Sequence, residues 1–159
     1  MHIRSLVDCL DDLPELARFH HEEWSHVSPF KTQEQHVMKL RARIGASPIP
    51  ATYILYVSDE VAGSVSLLQQ DDIAQVRSDL SPWLSSLLVV SKYRGRGYGR
   101  ALVQHCVTQA SIAGFPALYL HTDTHAEYYA RLGWREISRE VSFGVEATVM
   151  KLELNGPGT

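Results

Sequence analysis

Apolar positions along the chain recur at two spacings, every second residue and every third or fourth, and the switches between them mark out strands and helices. Residues 2–7 read as a short strand. Asp11 and Asp12 then precede Pro14, which suits the first turn of a helix, and Leu13, Leu16, Ala17 and Trp24 form that helix's apolar stripe. Thr32 with Gln35 three residues on is a capping-box pattern that opens a second helix, with Val37, Leu40 and Ile44 inward and Gly45 as its stop. Residues 51–58 are rich in β-branched and aromatic types. Asp59 and Glu60 turn the chain, and a strand over 61–68 completes an antiparallel hairpin. In the first hairpin strand the tyrosines, Tyr53 and Tyr56, read as sheet packing.

The polar stretch 69–82 reads as a loop, and 83–90 as the fourth strand. That strand ends in the continuous apolar run Leu87-Leu88-Val89-Val90, which suits a strand covered on both faces. A glycine-rich turn over 94–99 leads into a helix whose stripe is Leu102, Val103, Cys106, Val107, Ala110 and Ala113, with Gly114 at its end. Residues 116–122 form a further strand. Thr124 with Glu127 repeats the capping-box pattern and opens a short helix that Gly133 stops. Strands near 134–138 and 147–152 follow. The order β-α-α-β-β-β-α-β-α-β-β predicts an α/β fold, a mixed sheet with helices packed on it.

The 159 residues fit one domain spanning the whole chain, 1–159. A composition of 45% apolar and 21% charged residues is that of an ordinary globular protein. A formal net charge of −3 argues against nucleic acid as an electrostatic partner. No apolar run approaches the roughly 20 residues that span a bilayer, so no membrane association is expected. The opening residues carry Asp8, Asp11 and Asp12 and match neither a signal nor a transit peptide; with only Cys9 and Cys106, read as reduced thiols, a cytoplasmic setting is expected. Eight histidines raise the question of a metal. His21 and His26, however, stand five apart where two ligands on one helix face need four, and no metal is expected. His20 falls on the apolar stripe with Leu16 and Trp24, either as a hydrogen-bonded core histidine or as the wall of a groove.

The informative segment is Val89-Val90-Ser91-Lys92-Tyr93-Arg94-Gly95-Arg96-Gly97-Tyr98-Gly99-Arg100. Glycines at every second position let the backbone turn tightly and approach a ligand, and the unpaired amides that open the next helix sit at the positive end of its dipole. That combination binds phosphate. A P-loop needs a Gly-Lys-Ser/Thr ending, which is absent, and a dinucleotide fingerprint needs glycine where Arg100 stands. The pattern met by Arg94, Gly97 and Gly99 is Arg/Gln-x-x-Gly-x-Gly/Ala. It resembles the acetyl-CoA pyrophosphate loop of the GNAT acetyltransferases, and the resemblance extends to Tyr129-x-x-x-Gly133-Trp134 near the end. Ser81-Pro82-Trp83-Leu84 with the Tyr93–Gly97 segment looks like a bacterial subgroup, some of whose eukaryotic relatives act on protein N-termini.

The resemblance implies transfer of acetyl from acetyl-CoA to an amine, a small molecule or a peptide amine, by a monomer or homodimer with a GNAT-like, mostly antiparallel sheet. It assigns Leu87, Leu88 and Val89 to the strand that holds pantetheine, with the Val89 amide on the thioester carbonyl. The pyrophosphate falls to the loop Arg94, Gly95, Arg96, Gly97, Tyr98, Gly99 and Arg100. Thr122 stands at about the place of an asparagine that contacts pantetheine in many members. Tyr129 takes the place of the general acid that protonates the departing thiolate. Many members carry a glutamate base on the fourth strand, but Trp83-Leu84-Ser85-Ser86-Leu87 has no carboxylate. Leu118-Tyr119-Leu120-His121 is similar to a segment of certain N-terminal acetyltransferases in which the histidine is the base, and imidazole chemistry suits that role. His121 as base stands beside a purely structural His121, with Asp79 as a remote third choice. Two other readings remain: a coenzyme A-binding sensor without useful turnover, which would need neither Tyr129 nor His121, and an enzyme of the same fold with another acyl group or acceptor.

Overall fold

The computed structural model describes residues 1–45, 48–71, 76–142 and 144–154. Strand β1 (His2–Ser5) is shorter than its sequence suggests, because the chain leaves the sheet at Leu6, whose side chain is buried, and coils through two 3-10 turns to Asp12. Helix α1 (Leu13–Trp24) has Pro14 in its first turn and buries Leu13, Leu16, Ala17 and His20. Asp12 does not cap it with its side chain; the carboxylate instead accepts the Tyr56 hydroxyl at 2.6 Å. Helix α2 (Gln33–Ala42) opens with the expected capping box, Thr32 and Gln35 each accepting the other's amide at 3.1 Å. It stops at Ala42, two residues earlier than Gly45 suggests, with Arg43 as its cap.

Strands β2 (Ala51–Val57) and β3 (Glu60–Leu68) form the hairpin. Its turn residues Ser58 and Asp59 both have positive φ, the geometry that matches the twist of a two-residue hairpin. There follow β4 (Trp83–Val89), α3 (Tyr98–Ile112), β5 (Ala117–Thr122), α4 (Ala126–Arg131), β6 (Arg135–Ser142) and β7 (Val145–Glu153). The order is the one read from the sequence; the middle of the predicted loop, 72–75, lies outside the described residues. The second capping box does not form. Helix α4 starts at Ala126 with His125 at its cap, so Thr124 and Glu127 are out of register, and it is Thr122 whose hydroxyl accepts the His125 amide, at 3.0 Å.

Among the described residues the seven strands make one sheet in the order β1-β2-β3-β4-β5-β7-β6, with every neighbour antiparallel except β4 and β5. Alternate residues of β2 feed two cores. Tyr53 and Leu55 join Leu102, Val103, Cys106 and Ala110 of α3, with Tyr129 and Trp134. Ile54 and Tyr56 join Leu13, Leu16, Ala17 and Leu40 under α1 and α2. Each fully buried leucine contributes about 1.5–3 kcal/mol, where an exposed ion pair contributes about 0–1 kcal/mol, so these two faces set the sheet between its helices.

The parallel pair shapes the middle of the molecule. β4 and β5 are in register only at Trp83 opposite Tyr119, where the Tyr119 amide donates to the Pro82 carbonyl at 3.1 Å. Beyond that point the strands part, and Leu84–Leu87 on one side and Leu120–Thr122 on the other line a cavity of about 900 Å³.

Candidate active site

The parting of β4 from β5 is accompanied by a bulge in β4. Ser64 of β3 faces Leu88 and Ser66 faces Ser85, so Ser86 and Leu87 together occupy one place opposite Val65. Ser86 takes a φ of 56°, and such a bulge bends and re-aims its strand. The buried guanidinium of Arg43 donates from Nη1 to the hydroxyls of Ser86 at 3.0 Å and Ser66 at 3.1 Å, and Ser66 also bonds Thr52 at 2.8 Å. Past the bulge the Val90 amide donates to the Ala62 carbonyl at 2.8 Å. Backbone groups alternate along a strand, so Val89 turns its amide and carbonyl to the opposite edge, away from β3. Leu87 lines the cavity. Leu88 does not; it pairs with Ser64, and its side chain lies in the core under α1.

The glycine turn follows directly. A 3-10 turn (Ser91–Tyr93) is pinned to the start of β3 by Glu60, which receives Lys92 and the Tyr93 hydroxyl, both at 2.6 Å. Those two partners, Lys92 first, hold the Glu60 carboxyl below its usual pKa. Gly95 and Gly97 have φ of 77° and 84°, and a Cβ on either would meet no heavy atom within 4 Å. Gly97 caps α3, and the first bond into that helix is Ala101 amide to Gly97 carbonyl at 3.1 Å. The amides of Tyr98, Gly99 and Arg100 therefore head the helix without an intrahelical acceptor. Arg96 and Arg100 are exposed beside them. Arg94 behaves differently: its guanidinium turns back, donating to the Val89 carbonyl at 2.9 Å and pairing with Glu23 of α1 at 3.1 Å. Gly99 faces inward. A Cβ there would lie 3.5 Å from Val89 Cγ2 and 3.8 Å from the Tyr128 hydroxyl, so the loop adjoins both the end of β4 and α4.

The cavity gathers Leu87, His121, Thr122 and Tyr129 from the sequence candidates; the loop residues 94–100 stand outside its lining. Tyr129 is 8% exposed and packs edge-on against Trp134 and Tyr128. Burial, with a smaller push from Tyr128, raises its hydroxyl far above the ordinary tyrosine pKa, so it holds its proton. Tyr128 looks toward Gly99 instead, and burial raises its pKa while Arg100 opposes. The two adjacent tyrosines thus serve different ends of the site. Thr122 lends its hydroxyl to the turn before α4.

His121 brings in a residue that the sequence did not single out. Its Nε2 lies 2.8 Å from Oδ2 of Asp71, with the two side chains 25% and 1% exposed. Trp83 closes on the imidazole edge-on at 6.4 Å. Asp71 sits in the polar stretch after β3, where nothing in the local pattern distinguishes it from its neighbours. Asp79 does not enter the cavity; it is exposed and held by Arg77 in a two-point contact at 3.0 Å, which lowers its pKa.

The α1 wall is divided. Glu23 and Trp24 line the cavity, whereas His20 lies beneath, fully buried, with Nδ1 2.9 Å from Lys39 Nζ and Nε2 3.2 Å from Ser64 Oγ. The ammonium must donate to Nδ1, so Nε2 carries the proton and donates to the serine. Burial first, then Lys39, lowers the His20 pKa well below the usual value, in keeping with a neutral ring. Among the described residues no three His, Cys, Asp or Glu side chains converge as a metal site would, and no helix is long and apolar enough to cross a membrane.

Comparison with solved structures gives the same architecture. A ribosomal-protein-alanine N-acetyltransferase from Brucella melitensis superposes with a TM-score of 0.74 at 20% identity, covering 97% of this chain and 100% of that one. The Salmonella typhimurium protein yncA, solved with its cofactor acetyl-CoA, gives 0.74 at 17% identity, covering 100% and 96%. The ribosomal-protein-S18-alanine N-acetyltransferase of Escherichia coli gives 0.67 at 23% identity, covering 99% and 97%. No curated protein matches the chain by sequence. The family model described as acetyltransferase (GNAT) family matches residues 13–134, which takes in α1, the bulged strand, the glycine turn, His121, Tyr129 and Gly133-Trp134, and the chain belongs to that family.

Proposed function

We propose that the protein transfers the acetyl group of acetyl-CoA to a primary amine by direct attack. One observation carries the reading: the glycine turn and the unpaired amides heading α3 adjoin, at Val89, a strand edge that leads into a cavity containing both a protonated tyrosine and a histidine.

The residues fit such a substrate. The helix-heading amides of Tyr98, Gly99 and Arg100, with the open left-handed glycines and the exposed Arg96 and Arg100, offer a phosphate cradle. The edge of β4 turned away from β3 offers backbone groups to the pantetheine arm, as an added strand would. Arg94 shapes this region from the side, holding the Val89 carbonyl to α1. In the chemical step the amine nitrogen bonds to the thioester carbon. The Val89 amide stabilises the developing oxyanion. His121 takes the proton that the amine sheds, the carbon–sulfur bond breaks, and Tyr129 protonates the departing thiolate. The products are the N-acetyl amine and coenzyme A.

Two of the structural neighbours are named for a ribosomal-protein alanine acceptor, so a peptide beginning with alanine belongs in the first amine panel, beside a lysine peptide and spermidine. Calorimetry with acetyl-CoA, run beside NADH and ATP, tests the cradle; saturable binding of acetyl-CoA alone is expected. Steady-state assays over the panel test the chemistry. Tight binding with no acetylated amine would favour a coenzyme A-sensing module instead.

A further inference from the structure

The described contact between His121 and Asp71 has the form of a carboxylate that orients an imidazole. Asp71 Oδ2 lies 2.8 Å from His121 Nε2, and the carboxylate side chain is 1% exposed while the imidazole, 25% exposed, faces the cavity. The two arrive from separate elements, Asp71 from the segment after β3 and His121 from β5 next to its end. Trp83, at the point where β4 and β5 meet, packs edge-on against the ring and limits its rotation. Val149, opposite His121 on β7, brings no charge.

We infer that Asp71 is a positioning residue for His121, fixing the proton of the neutral ring on Nε2 and leaving Nδ1 to receive the proton of the incoming ammonium. The inference rests on His121 being the base of the proposed transfer. The 2.8 Å approach is an ion-pair contact lying off the ring's N–H direction; because a carboxylate oxygen only accepts, a small turn of the imidazole that closes the hydrogen bond favours hydrogen on Nε2. In a neutral imidazole the other nitrogen is then the free lone pair. When Nδ1 takes a proton, the imidazolium forms 2.8 Å from a buried negative charge and the pair becomes neutral overall, rather than leaving a lone cation in a partly buried site. The balance is simple: one proton moves from the acceptor's nitrogen to Nδ1, the Nε2 hydrogen stays on the ring, and no other reactant enters. Asp71 lines the cavity wall beside His121 and acts through the ring, taking no proton in the step.

Three measurements separate this idea from the reading beneath it. Long-range proton–nitrogen NMR of the wild-type protein reports the ring tautomer and needs no variant. Neutral His121 is expected with hydrogen on Nε2; hydrogen on Nδ1 overturns the inference. With the amine acetylated fastest in the panel, Asp71→Asn is expected to lower kcat about 10- to 100-fold, the range for partners that orient a functional imidazole, with the KM for acetyl-CoA unchanged. In a His121→Ala background the same change should cost nothing further. Full additivity of the two losses, or an unchanged kcat in Asp71→Asn, overturns it. If His121→Ala alone keeps the wild-type kcat, the base assignment fails, whatever the tautomer. Should Asp71→Asn not fold, the wild-type tautomer decides.

Discussion

Arg43 donates a hydrogen bond to the hydroxyl of Ser86 at 3.0 Å, and Ser86 is the residue at which β4 leaves regular strand geometry, with a φ of 56°. The guanidinium comes from the cap of α2 and is buried, so the bulge is tied to the helix pair rather than to its own sheet alone. The strained backbone at Ser86 needs such support, because a non-glycine residue in that region costs about 1–3 kcal/mol.

Arg43→Met is therefore expected to cost more than a surface arginine would. Losing a charged donor to the buried hydroxyl of Ser66 and the half-buried one of Ser86 costs about 2 kcal/mol. The bulge should relax and the parted edge of β4 lose its alignment. The expected outcome is a lower Tm together with a KM for acetyl-CoA raised several-fold; a Tm loss with unchanged acetyl-CoA affinity would detach Arg43 from the cofactor edge.

The glycines of the region are not equivalent. Gly97 has a φ of 84° and open space where a Cβ would go, so Gly97→Ala meets only backbone strain, about 1 kcal/mol. Gly97→Glu adds an anion at the head of α3. Calorimetry should show acetyl-CoA affinity little changed in the alanine variant and lost by about 100-fold or more in the glutamate variant, as like charge opposes the pyrophosphate there. Equal affinities would sink the loop assignment. Gly63 carries the opposite constraint, since a Cβ there would stand 2.4 Å from the Leu88 carbonyl oxygen, a backbone atom. Gly63→Ala must push β3 and β4 apart, and its unfolding midpoint should fall further than that of Gly97→Ala.

The element order, the first capping box and the glycine turn were legible in the sequence because each is written in local spacing. Gly63 was not, because its need arises from the carbonyl of a residue 25 places on, Leu88. Asp71 is similar: one acid in a polar stretch becomes informative only when β5 delivers His121 to it. Arg94 belongs by spacing to the glycine turn, while its contacts to Val89 and Glu23 depend on the packing of α1 beside β4, which no local pattern encodes. The misplaced box at Thr124 shows the converse, since a valid local signal was displaced when Thr122, at the end of β5, reached the His125 amide.

Stability should depend on acid through the histidines between α1 and α2. His36 has its pKa lowered from 6.5 to about 4, by burial first and then by Lys39. The folded state therefore binds a proton less readily than the unfolded chain. Its contribution is full above about pH 6.5, declines as pH falls toward 4 and is flat below. His20 acts in the same direction. Thermal unfolding followed from pH 7 to 4 should show Tm falling across that window, and His36→Phe should flatten part of the slope. A variant with an identical slope would assign the whole effect elsewhere.

Tyr128 and Tyr129 offer the sharpest division of labour, because one residue along α4 separates the two hydroxyls into different surroundings. Tyr129 lines the cavity, and burial holds its pKa high enough that it stays protonated through the working range, as an acid must. Tyr128 presents its hydroxyl near Gly99, at the head of α3. Tyr129→Phe removes the donor to the thiolate while keeping the ring between Tyr128 and Trp134, so kcat should fall by about 10²-fold or more with little change in acetyl-CoA affinity. Tyr128→Phe should do the reverse, weakening acetyl-CoA binding a few-fold and leaving kcat near the wild-type value. Measuring kcat and the calorimetric Kd for both variants decides the matter: a crossed pattern places the acid at Tyr128, and matching losses in both parameters for both variants would mean that the pair acts as one packed unit rather than as two roles.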